Sequence, residues 1–128
     1  MRREMNSVRC AAALLLAMLA AGCTDHRDRD ARRLTGGDPR QGRELLDRYG
    51  CDACHTIPGV RGARGLVGPP LAGIADRVYI AGVMENTPSN MVRWIKDPPA
   101  VDSMTAMPNV GVSETEARHI AAYLYTLR

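Results

Sequence analysis

The sequence predicts an all-α domain of about four short helices joined by irregular loops. Three observations carry that expectation. Capped apolar stripes at helical spacing begin at Asp38, Thr87 and Ser113. The stretches between them, such as Ile57-Pro58-Gly59 and Gly68-Pro69-Pro70, have the glycine and proline of loops. The pentapeptide Cys51-Asp52-Ala53-Cys54-His55 follows a helix-ending glycine, Gly50, and supplies a centre for the helices to fold around.

Two thiols at i and i+3 fall on one side of a helical turn. Both can therefore reach the two vinyl groups along one edge of a porphyrin. A histidine directly after the second cysteine is carried over the ring centre, where its imidazole binds iron. The pentapeptide thus reads as the attachment site of one haem c per chain, bound through Cys51 and Cys54 with His55 as an axial ligand. A redox dithiol would need a βαβ setting, and the flanking sequence has none. A zinc site would need two further ligands, and past His55 the chain offers only His119 and no cysteine.

Taken in order, residues 1–22 read as a signal peptide. Arg2, Arg3 and Arg9 form a positive start, and Ala11 to Ala21 is an unbroken apolar run, short for a bilayer span of about 20 residues. Leu19-Ala20-Ala21-Gly22-Cys23 resembles the lipobox of bacterial lipoproteins, with Cys23 as the lipidated residue, although Ala20 stands where that family usually has leucine. Cleavage by the general signal peptidase near Ala20-Ala21-Gly22 is the alternative, and it leaves Cys23 as an odd thiol in an oxidising compartment. With Cys10 removed, Cys23 lipidated and Cys51 and Cys54 on haem, no disulfide remains to assign. Residues 23–37 read as a flexible linker of alternating charge with no apolar face. The domain proper then runs from 38 to 128.

Asp38 caps the first helix and Pro39 suits its first position; Leu45, Leu46 and Tyr49 recur at helical spacing. Gly42 lies inside it, where glycine costs about 1 kcal/mol relative to alanine, so a close backbone neighbour is expected. A haem-bound histidine donates its other ring N–H to a fixed acceptor, and the carbonyl of Pro69 is the candidate for His55. A short helical turn is expected over Leu71 to Asp76, while Arg77 to Met84 gives no clear pattern. Thr87-Pro88 starts a third helix with Met91, Trp94 and Ile95 on one face, stopped by Asp97-Pro98-Pro99. Val101 to Gly111 is loop. Ser113 and Glu116 form a capping box for the last helix, striped by Ala117, Ile120, Tyr123, Leu124 and Leu127.

The second axial position on the iron decides function. A thioether closes the site at a raised potential for electron transfer, whereas an open site permits ligand binding or peroxide chemistry. Met84 and Met91 read as core. Met104 and Met107 lie in the loop before the last helix, and Pro108 stiffens the approach of Met107, which makes Met107 the candidate ligand and Met104 the runner-up. His119 is expected to play no part at the iron.

From Asp38 to Arg128 the chain resembles a class I monohaem cytochrome c. The residues that carry the likeness are Gly42, Cys51-x-x-Cys54-His55, Gly68-Pro69-x-Leu71, Met107-Pro108 and Ile120-x-x-Tyr123-Leu124. The resemblance implies crossed first and last helices, with Gly42 meeting Tyr123. Arg77-x-x-Ile80-Ala81-Gly82 and Asn86-Thr87-Pro88-x-Asn90-Met91-x-Arg93-Trp94-Ile95-x-Asp97-Pro98 are similar to the cytochrome c domain of haem-copper oxidase subunit II. That narrower likeness implies that Arg77 and Trp94 lie near the haem propionates. Pro70 departs from the family, which commonly has a polar residue there. No copper-site domain is visible, so a small separate cytochrome is expected rather than the oxidase subunit itself.

From Cys23 onward the charges nearly balance, and no basic stripe interleaved with aromatics argues for nucleic acid. The expected function is electron transfer at the periplasmic face of a bacterial membrane, between redox proteins such as a respiratory oxidase or dehydrogenase, without catalytic residues. A soluble periplasmic carrier, a dedicated subunit of an oxidase or dehydrogenase, and a peroxidase-like or ligand-sensing haem protein are the alternatives. With one tryptophan, four tyrosines and no phenylalanine, side chains alone make a thin core, which a haem would fill. The haem-free chain is therefore expected to lose most of its helical circular dichroism. Native-like helix content without haem would show that the side chains close the core unaided.

Overall fold

A computed structural model describes residues 26–128. The signal peptide expected over 1–22 and the lipidation expected at Cys23 lie outside the described residues. Within them the chain is mostly helical. Helix α1 covers residues 26–35, α2 Pro39–Arg48, α3 Pro88–Lys96, α4 Pro98–Val101 and α5 Glu114–Leu124. Single 3₁₀ turns cover Cys51–Ala53 and Ile74–Asp76.

The helix starts follow local chemistry. Asp38 accepts from the Arg40 backbone N–H at 2.9 Å with Pro39 in the first turn of α2. Thr87 accepts from the Asn90 N–H at 3.3 Å at the start of α3. At α5 the capping box is complete: Ser113 Oγ accepts from the Glu116 N–H, and Glu116 accepts from the Ser113 N–H at 3.1 Å. Asp97 closes α3, and the two following prolines, expected only to stop that helix, open the short α4.

Two segments differ from expectation. Residues 26–35, read as part of a flexible tether, form a helix docked on the domain. Ala31 is 1% exposed and Thr35 3%. The Thr35 hydroxyl donates to the Ala31 carbonyl at 2.8 Å and accepts from the Gly37 N–H at 3.1 Å, while Arg32 pairs with Asp38 at 2.8 Å. The docked face is built from small residues, so no apolar stripe marks it in the sequence. The second difference is a minimal antiparallel hairpin, β1 Tyr79–Ile80 and β2 Met84–Glu85. Its turn puts both Ala81 and Gly82 at positive φ, +49° and +75°, and closes with the Val83 N–H on the Ile80 carbonyl at 3.0 Å.

The core lies between α2, α3 and α5, where Leu45, Leu46, Met91, Trp94, Ile95, Ala117, Ile120, Ala121 and Leu124 are buried. α5 packs on both α2 and α3, most extensively on α2. The close approach is at Gly42. A Cβ there would collide with the His119 carbonyl oxygen and stand 2.6 Å from its carbon and 3.0 Å from Tyr123 Cβ. Gly42 therefore rests first on the backbone of His119 and only then on Tyr123. The His119 ring locks the same junction, its Nδ1 accepting the Asp38 backbone N–H at 2.8 Å. One turn earlier, Glu116 accepts from the Tyr49 hydroxyl at 2.9 Å. Its hydrogen bonds from the Ser113 side chain, from Tyr49 and from the Ser113 backbone hold the Glu116 carboxyl below its ordinary pKa.

Gly42→Ala in the haem-loaded protein is expected to lower stability by about 1–3 kcal/mol through overpacking, despite alanine's better helix propensity. Chemical denaturation followed by circular dichroism measures it. An unchanged midpoint would mean that α2 and α5 can separate without loss.

Candidate haem site

The attachment segment begins where α2 ends. Gly50, at φ +69°, reverses the chain out of the helix, and Cys51–Ala53 form a 3₁₀ turn. The backbone N–H groups of Cys54 and His55 both return to the Cys51 carbonyl, at 3.3 and 3.0 Å, so the two cysteines and the histidine share one turn. Both thiols are free and half-buried. Burial, then the neighbouring Asp52 charge and Cys54, push the Cys51 thiol up to about 11. A dithiol oxidoreductase needs the opposite, a thiol lowered toward neutrality. Among the described residues no cluster of three or more His, Cys, Asp or Glu is placed to hold a metal ion.

The loop after His55 is folded back onto the motif. Gly65 N–H donates to the Asp52 carbonyl at 3.2 Å, Gly68 N–H to the Cys54 carbonyl at 2.8 Å, and Leu71 N–H to the Thr56 carbonyl at 2.9 Å. Nδ1 of His55 and the carbonyl oxygen of Pro69 are 2.7 Å apart. With the nitrogen as donor, this bond sets the tautomer in which Nε2 is free to act as a ligand. Gly68 lies flat against the ring: a Cβ there would stand 2.7 Å from Nδ1 and 2.8 Å from Nε2. Gly65 backs the turn in the same way, its missing Cβ leaving room for the Ala53 and Cys54 backbone.

The methionines separate by burial. Met91 is 1% exposed in the core, and Met84 on β2 packs against the core from its edge. Met104 is 88% exposed, with its N–H held by the Asp102 carboxylate at 2.9 Å. Met107 is half-buried against the core, its N–H donating to Thr105 Oγ1 at 3.2 Å. Arg77 reaches back over the loop and donates to the carbonyls of Pro70 and Ala72, the latter at 3.2 Å. Trp94 is 8% exposed on the buried face of α3. His119 is engaged in the α2–α5 junction through its Nδ1.

Residues 39–128 match the family model for Cytochrome c. The chain belongs to the cytochrome c family. The family implies a covalently bound haem c and a role in electron transfer, and this cytochrome's donors fit that group: two free thiols on one turn, an imidazole with one nitrogen already engaged, and thioethers available elsewhere. Among curated relatives, the cytochrome is similar to "Cytochrome c oxidase subunit 2" of Alkalihalophilus pseudofirmus, 33% identical over 89 residues, covering 69% of this chain and 25% of that protein. The protein of the same name from Bacillus subtilis is 33% identical over 84 residues, 61% of this chain and 24% of its own. That of Bacillus sp. strain PS3 is 28% identical over 89 residues, 66% and 25%. The cytochrome spans about a quarter of the length of these relatives. No solved structure matches the chain significantly.

Sequence reasoning assigned no contact role to Gly65 and Gly68, and it missed Asn86. The Asn86 amide donates to the carbonyls of Ile74 and Arg77, both at 2.8 Å, and its oxygen accepts from the Tyr125 hydroxyl at 2.8 Å. It pins the loop that carries Arg77 to the end of α5. Asn86 opens the Asn86-Thr87-Pro88 stretch of the narrower likeness, but an asparagine before Thr-Pro reads only as a turn residue, so its bonding role was not assigned.

Gly68→Ala must displace the His55 ring. The haem-loaded variant is expected to lose about 1–3 kcal/mol of stability and to shift the His55 ring proton resonances. Unchanged resonances would show that the ring does not depend on the glycine.

Proposed function

We propose that the protein is a membrane-tethered electron-transfer protein of the bacterial periplasm, with one haem c on Cys51 and Cys54 and with His55 and Met107 as axial ligands. The observation that carries the proposal is the fixed His55 imidazole, bonded through Nδ1 to Pro69 at 2.7 Å, in a chain whose loop before α5 offers a half-buried Met107 and an exposed Met104. When bound, the haem supplies a one-electron iron couple. The chain's own residues set its environment. The Pro69 carbonyl accepts the hydrogen bond from Nδ1–H and makes Nε2 a better donor. Gly68 admits the ring close to the backbone and limits its rocking. Met107 would supply a thioether to the iron, which favours a raised potential. Arg77 and Trp94 are assigned to the surroundings of the propionates on resemblance alone. No side chain is assigned a bond-making role.

Export and tethering are supported by the sequence before the described residues, where the apolar run ends in Gly22-Cys23. Among the described residues no helix is long and apolar enough to cross a membrane. Two acyl anchors on Cys23 would give stable attachment where one gives only marginal binding. A second reading, favoured by the names of the relatives, is that the protein serves a respiratory oxidase as a bound redox subunit rather than as a mobile carrier. Co-purification with a larger complex in mild detergent supports that reading, and isolation as a lone cytochrome opposes it.

The absorbance of the oxidised holoprotein tests the ligand assignment. The weak sulfur-to-iron band at the red edge of the visible spectrum is expected to vanish in Met107→Ala and to persist in Met104→Ala; the reverse pattern would sink the assignment. Intact mass of the protein from membranes reads the haem addition, the cleavage point and the acyl chains together.

A further inference from the structure

One face of the domain is not used by the haem site. α1, the start of α2 and the end of α5 enclose a cleft of about 440 Å³ whose lining includes Arg27, Asp28, Arg40, Arg43, Tyr123 and Thr126. The two hydroxyls are already engaged: Tyr123 donates to the Pro58 carbonyl and Thr126 to the Tyr123 carbonyl, each at 2.6 Å. The three guanidinium groups are not. None has an ion-pair or hydrogen-bond partner among the described residues, whereas Arg32, Arg48, Lys96, Arg118 and Arg128 each stand beside a carboxylate. Asp28 is the single carboxylate in the lining, so the cleft carries a net positive charge. The start of α2 is capped by Asp38, which leaves the side chains rather than the helix end to receive an anion.

Guanidinium groups that line one cleft repel one another unless an anion lies between them, and their planar donor forks match phosphate oxygens. The position of the cleft indicates which phosphate. Arg27 lies four residues after Cys23, a span of at most about 14 Å of extended chain. On the tethered reading proposed above, on which this inference rests for its source of ligand, the nearest phosphates are lipid headgroups. We propose that the Arg27, Arg40 and Arg43 cleft binds the phosphate groups of anionic phospholipids. Arg40 and Arg43 sit in the first turns of α2 and Cys51 follows its far end. α2 is ten residues and about 15 Å long, and both arginines lie in its first half, so a domain seated on headgroups through the cleft holds the haem attachment turn clear of the bilayer.

The test uses the haem-loaded mature chain carrying Cys23→Ala, made behind an independently cleaved export signal so that acyl chains play no part. Co-sedimentation is measured with vesicles of phosphatidylglycerol and phosphatidylcholine, and with phosphatidylcholine alone. Binding to the anionic vesicles is expected at low salt, weakening as salt is added and falling about 5-fold for each of Arg40→Gln and Arg43→Gln. The pair Arg61→Gln and Arg64→Gln, outside the cleft, is expected to leave it unchanged. Equal loss with that pair would reduce the effect to overall charge and overturn the site, as would wild-type binding by the Arg40→Gln, Arg43→Gln double variant. Calorimetric binding of inorganic phosphate without vesicle binding would overturn the lipid assignment. The intact mass of the native protein reports acylation independently: an unacylated Cys23 with vesicle binding retained removes the tether and leaves the cleft.

Discussion

The approach of α2 to α5 at Gly42 is the contact on which the rest of the domain depends. Two helices separated by 65 residues of chain would ordinarily meet through side chains. Here the absent Cβ of Gly42 lets backbone touch backbone at His119. The gain is not the glycine itself, which weakens a helix interior, but the alignment it permits. At that distance the His119 ring reaches the Asp38 N–H, and Glu116 reaches the Tyr49 hydroxyl. Each of these bonds ties an end of α2 to α5. Asp38 is the residue that caps α2, and Tyr49 is the residue that ends it, immediately before Gly50 and the cysteines. The attachment turn therefore inherits its position from a helix fixed at both ends.

The second dependency runs from that turn into the loop. A loop of fifteen or so residues with little regular structure is normally mobile. This one is held by returns to the motif itself: Gly65 to Asp52, Gly68 to Cys54, Leu71 to Thr56 and Pro69 to the His55 ring. The glycines are needed because the chain doubles back against its own carbonyls and against an imidazole, with no room for a side chain. The ring is consequently oriented by the backbone before any metal chemistry is considered, which is the preorganisation that an axial ligand requires.

What was legible in the sequence was chemistry that is local. Asp38-Pro39, Thr87-Pro88 and Ser113 with Glu116 announce helix starts because cap and capped group lie within three residues of each other. The Cys51 to His55 spacing and the Pro69 carbonyl were legible for the same reason. What was not legible depends on partners far along the chain or on small side chains. Helix α1 read as a solvated tether because its charges alternate and it shows no apolar face; Leu34 is half exposed, and docking is done by Ala31 and Thr35. No periodicity measure weights an alanine enough to find that face. His119 looked like a spare ligand type on a polar helix face; its partner, the Asp38 N–H, is 81 residues away. Asn86 was hidden likewise, since all three of its partners are brought by the fold.

The docking of α1 changes how charge is arranged on the molecule. A free tether would let its arginines spread in solvent. As a helix packed on the domain, α1 instead fixes Arg27 across a cleft from Arg40 and Arg43. Helix α2 thus has a cationic cleft at one end and the two cysteines at the other, joined by a rigid rod pinned to α5. A single element so built sets the distance between the cationic cleft and the turn that carries the two cysteines. That distance is invariant as long as Gly42 admits α5. The orientation of an electron carrier toward its partners can then follow from the same contact that holds the core together.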